Sequence, residues 1–322
     1  MLGPTLFLVY INDLCNMQVP NAKTFSYADD TCVVFTGISW DDVRADAELG
    51  LATVATWLRN NLLTLNTNKT NYISFSINKS TQPKKVFNIR IHTCDEFTNW
   101  TDCGCKEISK EAQTKYLGVM IDQFLSWYPH LEQVMTRIRK LTWIFRVLRH
   151  VVPRKTNKEN TKNIMNEIYV SLVQSVLVYC IPLWGGAAKT RFLGVERAQR
   201  ALLKLMYFKK RRFPTTDLYQ IAELLSVRKL YLYHLILKKH REGSYNPSIV
   251  TKRRKYAIVQ VPVSKTKFAR AQYKIRSACL YNKFNKHVYI YDKQIHQCKK
   301  LILSWLKNLT YEETEFFIKS TN

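Results

Sequence analysis

The period of the apolar positions changes along the chain, and each change marks an element. Leu6, Val9, Tyr10 and Leu14 recur at helical spacing after Pro4, a residue suited to a first helical turn, so residues 4–15 are expected to be helical. From Thr24 to Phe35, apolar and β-branched residues flank Asp29 and Asp30 on both sides. That pattern predicts a strand, a tight turn and a second strand, with the two acids at the tip. Ser39 and Asp42 form a Ser-x-x-Asp capping box, which predicts a helix from about Trp40 to Asn60 burying Val43, Ala47, Leu51, Val54 and Leu58. A strand is expected over Asn71–Ser76. Residues 77–113 read as irregular, with short strands near Val86–His92, and a strand-turn element follows at Thr114–Asp122.

From Trp127 the pattern turns helical. His130–His150 places Leu131, Val134, Ile138, Leu141, Phe145 and Leu148 on one face and most of its cations elsewhere. Further helices are expected over Asn160–Ile181, stopping at Pro182, over Arg191–Phe208, from a Thr216 cap to Leu225, and from a Ser226 cap to Arg241. Gly243–Pro262 reads as a linker containing Asn246-Pro247, and a last amphipathic helix carries Leu301, Trp305 and Leu306. A small antiparallel sheet with helices up to Asp122, followed by a mostly α-helical remainder, gives the fold class α+β.

Charge changes the picture more than composition does. The 322 residues suffice for about two domains with a sizeable core. The net charge is +26, and it is unevenly placed. Residues 1–120 carry 11 Lys/Arg against 12 Asp/Glu, while residues 121–322 carry 39 against 12. A near-neutral first part followed by a strongly basic second part points to a catalytic piece followed by one that binds a polyanion, with nucleic acid ahead of an anionic membrane surface. No apolar run reaches the roughly 18–20 residues of a membrane span, and no membrane partner is expected. Met1 is followed at once by Leu2-Gly3-Pro4, so no signal peptide is expected. The eight scattered cysteines read as reduced intracellular thiols. Cys94, Cys103 and Cys105 lack a well-spaced His or second Cys pair, so a zinc site is not expected there.

Two adjacent acids at a hairpin tip repel each other. A hard divalent cation explains the arrangement, and so does a plain polar turn. The neighbouring residues decide between these. Tyr27-Ala28-Asp29-Asp30 between apolar strands resembles the metal-binding hairpin of reverse transcriptases. Leu2-Gly3-Pro4-Thr5-Leu6-Phe7, followed by Tyr10-Ile11-Asn12-Asp13-Leu14, is similar to the motif just upstream of that hairpin. The order and spacing resemble non-LTR (LINE-type) retrotransposon reverse transcriptases, and the likeness continues along most of the chain.

The resemblance implies a partial palm over residues 1–122, a helical thumb and connection over 123–242, and a basic C-terminal region over 243–322. It implies RNA-directed DNA polymerisation with an RNA template, a DNA primer and dNTPs, and two-metal transfer by Mg2+, with Mn2+ as the alternative. Asp29 and Asp30 would hold the metal, and Tyr27 and Ala28 would line the primer or nucleotide. Lys69 would contact phosphate or give a proton to leaving pyrophosphate; a solvated loop lysine fits the same string. Tyr116-Leu117-Gly118 is similar to the primer grip, with Gly118 permitting a turn or a close backbone approach. Arg137, Arg139 and Lys140 would face the duplex. The Gln-Gly normally found before Leu2, the fingers and the motif with a third aspartate are not in the sequence. The expectation is therefore an N-terminally truncated polymerase, inactive alone, whose partner would be the missing N-terminal part. The alternative is a non-catalytic, basic nucleic-acid-binding remnant of such an element.

Overall fold

The computed structural model describes residues 2–77, 79–92, 105–152, 158–243 and 259–319. Cys94 and Cys103 of the cysteine cluster, Asn246-Pro247 and the basic run Lys252–Lys255 lie outside the described residues. The chain divides into two compact units, Met1–Leu125 and Ser126–Asn322. Helices with small sheets make up the chain, an α+β protein. No helix among the described residues is long and apolar enough to cross a membrane.

The first unit is built from α1 (Gly3–Asn16), the hairpin β1 (Ala22–Tyr27) and β2 (Asp30–Phe35), α2 (Trp40–Asn60), and the short strands β3 (Asn71–Tyr72), β4 (Ser109–Lys110), β5 (Gln113–Tyr116) and β6 (Val119–Asp122). The capping box at the start of α2 forms as expected. The Ser39 hydroxyl accepts from the Asp42 amide, and the Asp42 side chain takes up the Ser39 amide. The face α2 buries is smaller in residue size than the sequence suggested: Ala47, Gly50, Ala52, Val54 and Ala55 are buried, while Val43, Leu51 and Leu58 are half-buried. Small residues allow close approach, and larger ones rim the contact. Each sheet among the described residues is two-stranded: β1 with β2 antiparallel, β3 with β4 parallel, and β5 with β6 antiparallel. The strand expected over Asn71–Ser76 shrinks to two residues because β4 offers only two partners. Around Val86–His92 a single bridge, Arg90 to Glu107, replaces the expected strands.

The second unit has one core, drawn from residues between Leu131 and Ile318. Helix α3 (Tyr128–Val151) packs along α7 (Lys189–Met206) and buries Leu131, Val134, Ile138 and Phe145. Between them the helix expected over 160–181 is broken into α4 (Lys158–Tyr169), a π-helical turn at Val170–Gln174, α5 (Ser175–Val178) and α6 (Ile181–Trp184). Cys180, in the left-handed region at φ 52°, ends the run, and Pro182 sits in the first turn of α6. Tyr169, Leu177 and Trp184 are core residues, whereas Ser175 and Tyr179 are exposed. Helix α8 (Thr215–Ala222) starts one residue before the expected Thr216 cap, with Pro214 as its cap. Helix α9 (Val227–Arg241) is capped by Ser226 as expected. It is followed by α10 (Lys267–Ala271), α11 (Tyr273–His287), α12 (Ile295–Asn308) and α13 (Tyr311–Lys319).

Two buried polar clusters fix this core. Gln199 of α7 donates to the Tyr169 hydroxyl (2.8 Å) and the Leu225 carbonyl (3.0 Å). It accepts from the Tyr219 hydroxyl (2.8 Å) and the Val227 amide (3.0 Å), so the whole amide is satisfied. Arg228 of α9 lies 2.9 Å from a Glu315 oxygen and 3.6 Å from a Glu196 oxygen, tying α7, α9 and α13 together. Burial pushes the Glu196 carboxyl up, and the Arg228 charge opposes this.

His130, buried and edge-on to Trp184 at 5.4 Å, has its imidazole pKa lowered by burial to about 4. The unfolded chain therefore takes up this proton before the native state does, and stability falls as pH drops from about 6.5 towards 4. We expect a loss approaching about 3 kcal/mol over that window from this group. His130→Phe should flatten that part of the stability–pH curve, measured by urea unfolding at steps of pH. An unchanged slope would remove His130 as its source.

Candidate active site

The hairpin carrying the two acids is positioned from below by α2. Phe35 at the end of β2 packs against that helix and joins both apolar clusters of the first unit. At Gly50 the helix comes so close that an added Cβ would stand 2.6 Å from both Phe35 and Val19. Across the strands, Tyr27 faces Asp30, Ser26 faces Thr31, and Phe25 faces Cys32. The Ser26 and Thr31 hydroxyls are hydrogen-bonded at 3.1 Å, locking the register one pair below the tip.

The tip is the two-residue loop Ala28-Asp29, and Asp30 is the first residue of β2. Ala28 sits in the left-handed region at φ 52°, a conformation that a residue with a Cβ adopts at a cost. Asp29 and Asp30 are both exposed, and neither is ion-paired among the described residues. The Tyr27 ring, 69% exposed, stands on the same face as Asp30.

Burial comes first, and then interaction with Cys32 and Asp30, in pushing the Tyr116 hydroxyl up, so Tyr116 at the end of β5 lies within electrostatic reach of Asp30. The loop after β5, Leu117-Gly118, has both residues at positive φ (45° and 81°), the geometry of the tight hairpin turn for which Asn-Gly is the usual choice. Gly118 meets that demand without strain, and Leu117 does not.

Tyr27, Ala28, Asp29 and Asp30 thus share one hairpin tip, and Tyr116, followed by Leu117 and Gly118 in its own turn, is linked to it through Asp30. Lys69 is exposed in the turn after α2, its amide held by the Asn66 side chain and carbonyl. Its ammonium makes no ion pair among the described residues. In the second unit, Arg137, Arg139 and Lys140 are exposed on α3 and likewise unpaired with acids among the described residues.

The donor set of the tip suits a hard cation. Two neighbouring carboxylates supply oxygen only, and Mg2+ is commonly held by one or two carboxylates while keeping water and substrate phosphate oxygens as its other ligands. Among the described residues no group of three or more His, Cys, Asp or Glu side chains is clustered for a metal.

Residues 1–121 match the family model described as reverse transcriptase (RNA-dependent DNA polymerase). The chain is 26% identical over 224 residues to the Drosophila melanogaster protein described as "Probable RNA-directed DNA polymerase from transposon BS", covering 65% of this chain and 22% of that protein. It is 21% identical over 249 residues to the protein of the same organism described as "Probable RNA-directed DNA polymerase from transposon X-element", covering 75% of this chain and 25% of that protein. The chain therefore spans about a quarter of the length of these curated relatives. No solved structure matches it. These matches support kinship with the LINE-type reverse transcriptases.

Gly50 tests how the hairpin is held. Alanine favours a helix interior by roughly 1 kcal/mol over glycine, but here it would collide with Phe35 and Val19. We expect Gly50→Ala to destabilise the protein by a net of about 1–2 kcal/mol, the overpacking outweighing the propensity. Denaturant unfolding followed by tryptophan fluorescence measures this, and a stabilised variant would show that the contact is loose.

Proposed function

Because its first 121 residues match the reverse transcriptase family, we propose that this chain is part of an RNA-directed DNA polymerase of a non-LTR retrotransposon. The observation that carries the reading is the hairpin tip, where the consecutive residues Asp29 and Asp30 are exposed and not ion-paired among the described residues. In this reading the two carboxylates hold Mg2+, or Mn2+ in its place. When bound, such ions stabilise the attacking and leaving oxygens of nucleotidyl transfer.

The remaining roles fall to the chain's own side chains. Tyr27 and the Ala28 backbone bear on the primer end or the incoming nucleotide. Tyr116, Leu117 and Gly118 hold the primer strand, with the Leu117-Gly118 turn letting backbone approach backbone. Lys69 offers a mobile positive charge to pyrophosphate. Arg137, Arg139 and Lys140 of α3 contact backbone phosphates. The division into palm (1–122), thumb and connection (123–242) and basic C-terminal region (243–322) belongs to the same proposal. So does the need for residues from the rest of a longer protein to complete the acid set and cover the nucleotide.

The second reading, a nucleic-acid-binding remnant without catalysis, draws on the charge: 39 Lys/Arg against 12 Asp/Glu after residue 120. Binding of that kind is strongly salt-dependent, because each neutralised phosphate releases counterions.

Primer extension on an RNA template with Mg2+ separates the two. In any polymerising version of the protein, the Asp29→Asn/Asp30→Asn double variant should lose extension and keep RNA binding. Extension retained by the double variant would sink the metal assignment. No extension by either protein, with salt-sensitive RNA binding by both, would favour the remnant.

A further inference from the structure

The outer face of α3 and the loop after α7 form a surface that the metal site does not use. Arg139, Trp143, Arg146 and His150 follow one another at spacings of four, three and four residues, so they share one side of the helix. That side lies about a third of a turn around the helix from the buried Leu131, Val134, Ile138 and Phe145. Trp143 is 68% exposed in the middle of the row, with Arg139, Lys140 and Arg146 one turn away. The row ends against Phe208, in the turn just after α7. The His150 ring meets the Phe208 ring edge-on at 6.3 Å, and the Arg149 guanidinium lies 5.2 Å from its centroid. Phe208 leads straight into Lys209-Lys210-Arg211-Arg212, of which the last three are exposed. None of these cations is ion-paired with an acid among the described residues.

Phe208 is also in an unfavourable conformation. The Lys209 amide donates to the Lys204 carbonyl at 2.8 Å, closing the helix in the way that normally places glycine at the preceding residue. Phenylalanine occupies that place at φ 53°, with its ring 58% exposed. Glycine would close the helix without strain. A strained, exposed aromatic beside a run of cations contributes little to the core and calls for another use.

We infer that this surface binds single-stranded RNA, with bases stacking on Trp143 and Phe208 and phosphates meeting Arg139, Lys140, Arg146, Lys210, Arg211 and Arg212. Cations alone would follow any nucleic-acid backbone. The exposed rings select an unpaired strand, because base faces in a duplex are already covered by their neighbours. Trp143 and His150 are separated by about 10 Å along the helix axis, room for more than one nucleotide. The choice of RNA over DNA rests on the polymerase reading, in which the directing strand is RNA and is presented unpaired. The surface itself is independent of Asp29 and Asp30.

The test is fluorescence anisotropy with the full chain and four probes: an unstructured RNA oligonucleotide, the same sequence as DNA, an RNA duplex, and phosphatidylserine vesicles. Trp143→Ala should weaken binding to the unstructured RNA about tenfold, the loss of one stacked base, and Trp143→Phe should recover most of it. Phe208→Gly should weaken it similarly while leaving the thermal midpoint unchanged or higher, since glycine relieves the strained cap. Duplex binding should not respond to either change. Replacing Lys210, Arg211 and Arg212 with alanine should flatten the dependence of log K on log salt by about 0.7 for each phosphate that is no longer neutralised. Unchanged RNA affinity in both aromatic variants would overturn the proposal, as would an equal weakening on the duplex, or binding to DNA or vesicles as tight as to RNA. The Asp29→Asn/Asp30→Asn variant should bind RNA like the parent chain, so failure of the metal reading and failure of this one remain separate results.

Discussion

An amphipathic helix can bury only one of its faces, and the second unit depends on how α3 meets that constraint. Leu131, Val134, Ile138 and Phe145 are removed from water along α7, and most of the remaining core gathers behind that contact. The same geometry leaves Arg139, Trp143, Arg146 and His150 together on the solvent side. The buried polar clusters secure the arrangement. Gln199 answers all of its hydrogen-bonding groups between α4, α7, α8 and α9. Arg228 stands between Glu196 and Glu315, and Arg200 lies 3.9 Å from Glu196, so the two carboxylates meet two cations where an isolated charge would be costly.

The first unit works differently. Its sheets are two-stranded and its apolar clusters small, so its hairpins are held by a few close contacts rather than by a large core. The approach at Gly50 is one of them, and it sets where the Asp29-Asp30 tip stands. Both hairpin tips, Ala28 and Leu117, place residues other than glycine in the left-handed region. Phe208 does the same in the second unit. Local rules are broken at these three places, a pattern expected where a site is maintained against stability.

Much of the fold is legible in the residues. The Ser39–Asp42 capping box, the alternation around Asp29-Asp30, the Tyr-Leu-Gly turn and the apolar stripe of α3 are local signals, carried by spacing within one or two turns, and each forms where it is expected. The strands after α2 are shorter than their residues suggest, because a strand exists only where a partner pairs with it and β-propensity cannot supply one. The helix over 160–181 is more broken than its periodicity suggests: the π-turn at Val170–Gln174 has no local signal, while the break at Cys180 falls just before the Pro182 expected to stop the helix.

By itself the sequence determined the helices, the acid-tipped hairpin, the basic second half and the resemblance to reverse transcriptases, because periodicity, capping and charge are properties of neighbouring residues. Only the tertiary structure decided that Tyr116 feels the charge of Asp30, that Gly50 bears on Phe35, and that Arg149 and His150 meet Phe208 beside the Lys209–Arg212 run. Those pairs lie far apart along the chain. What joins them is the burial of apolar surface elsewhere, which local sequence pattern does not encode.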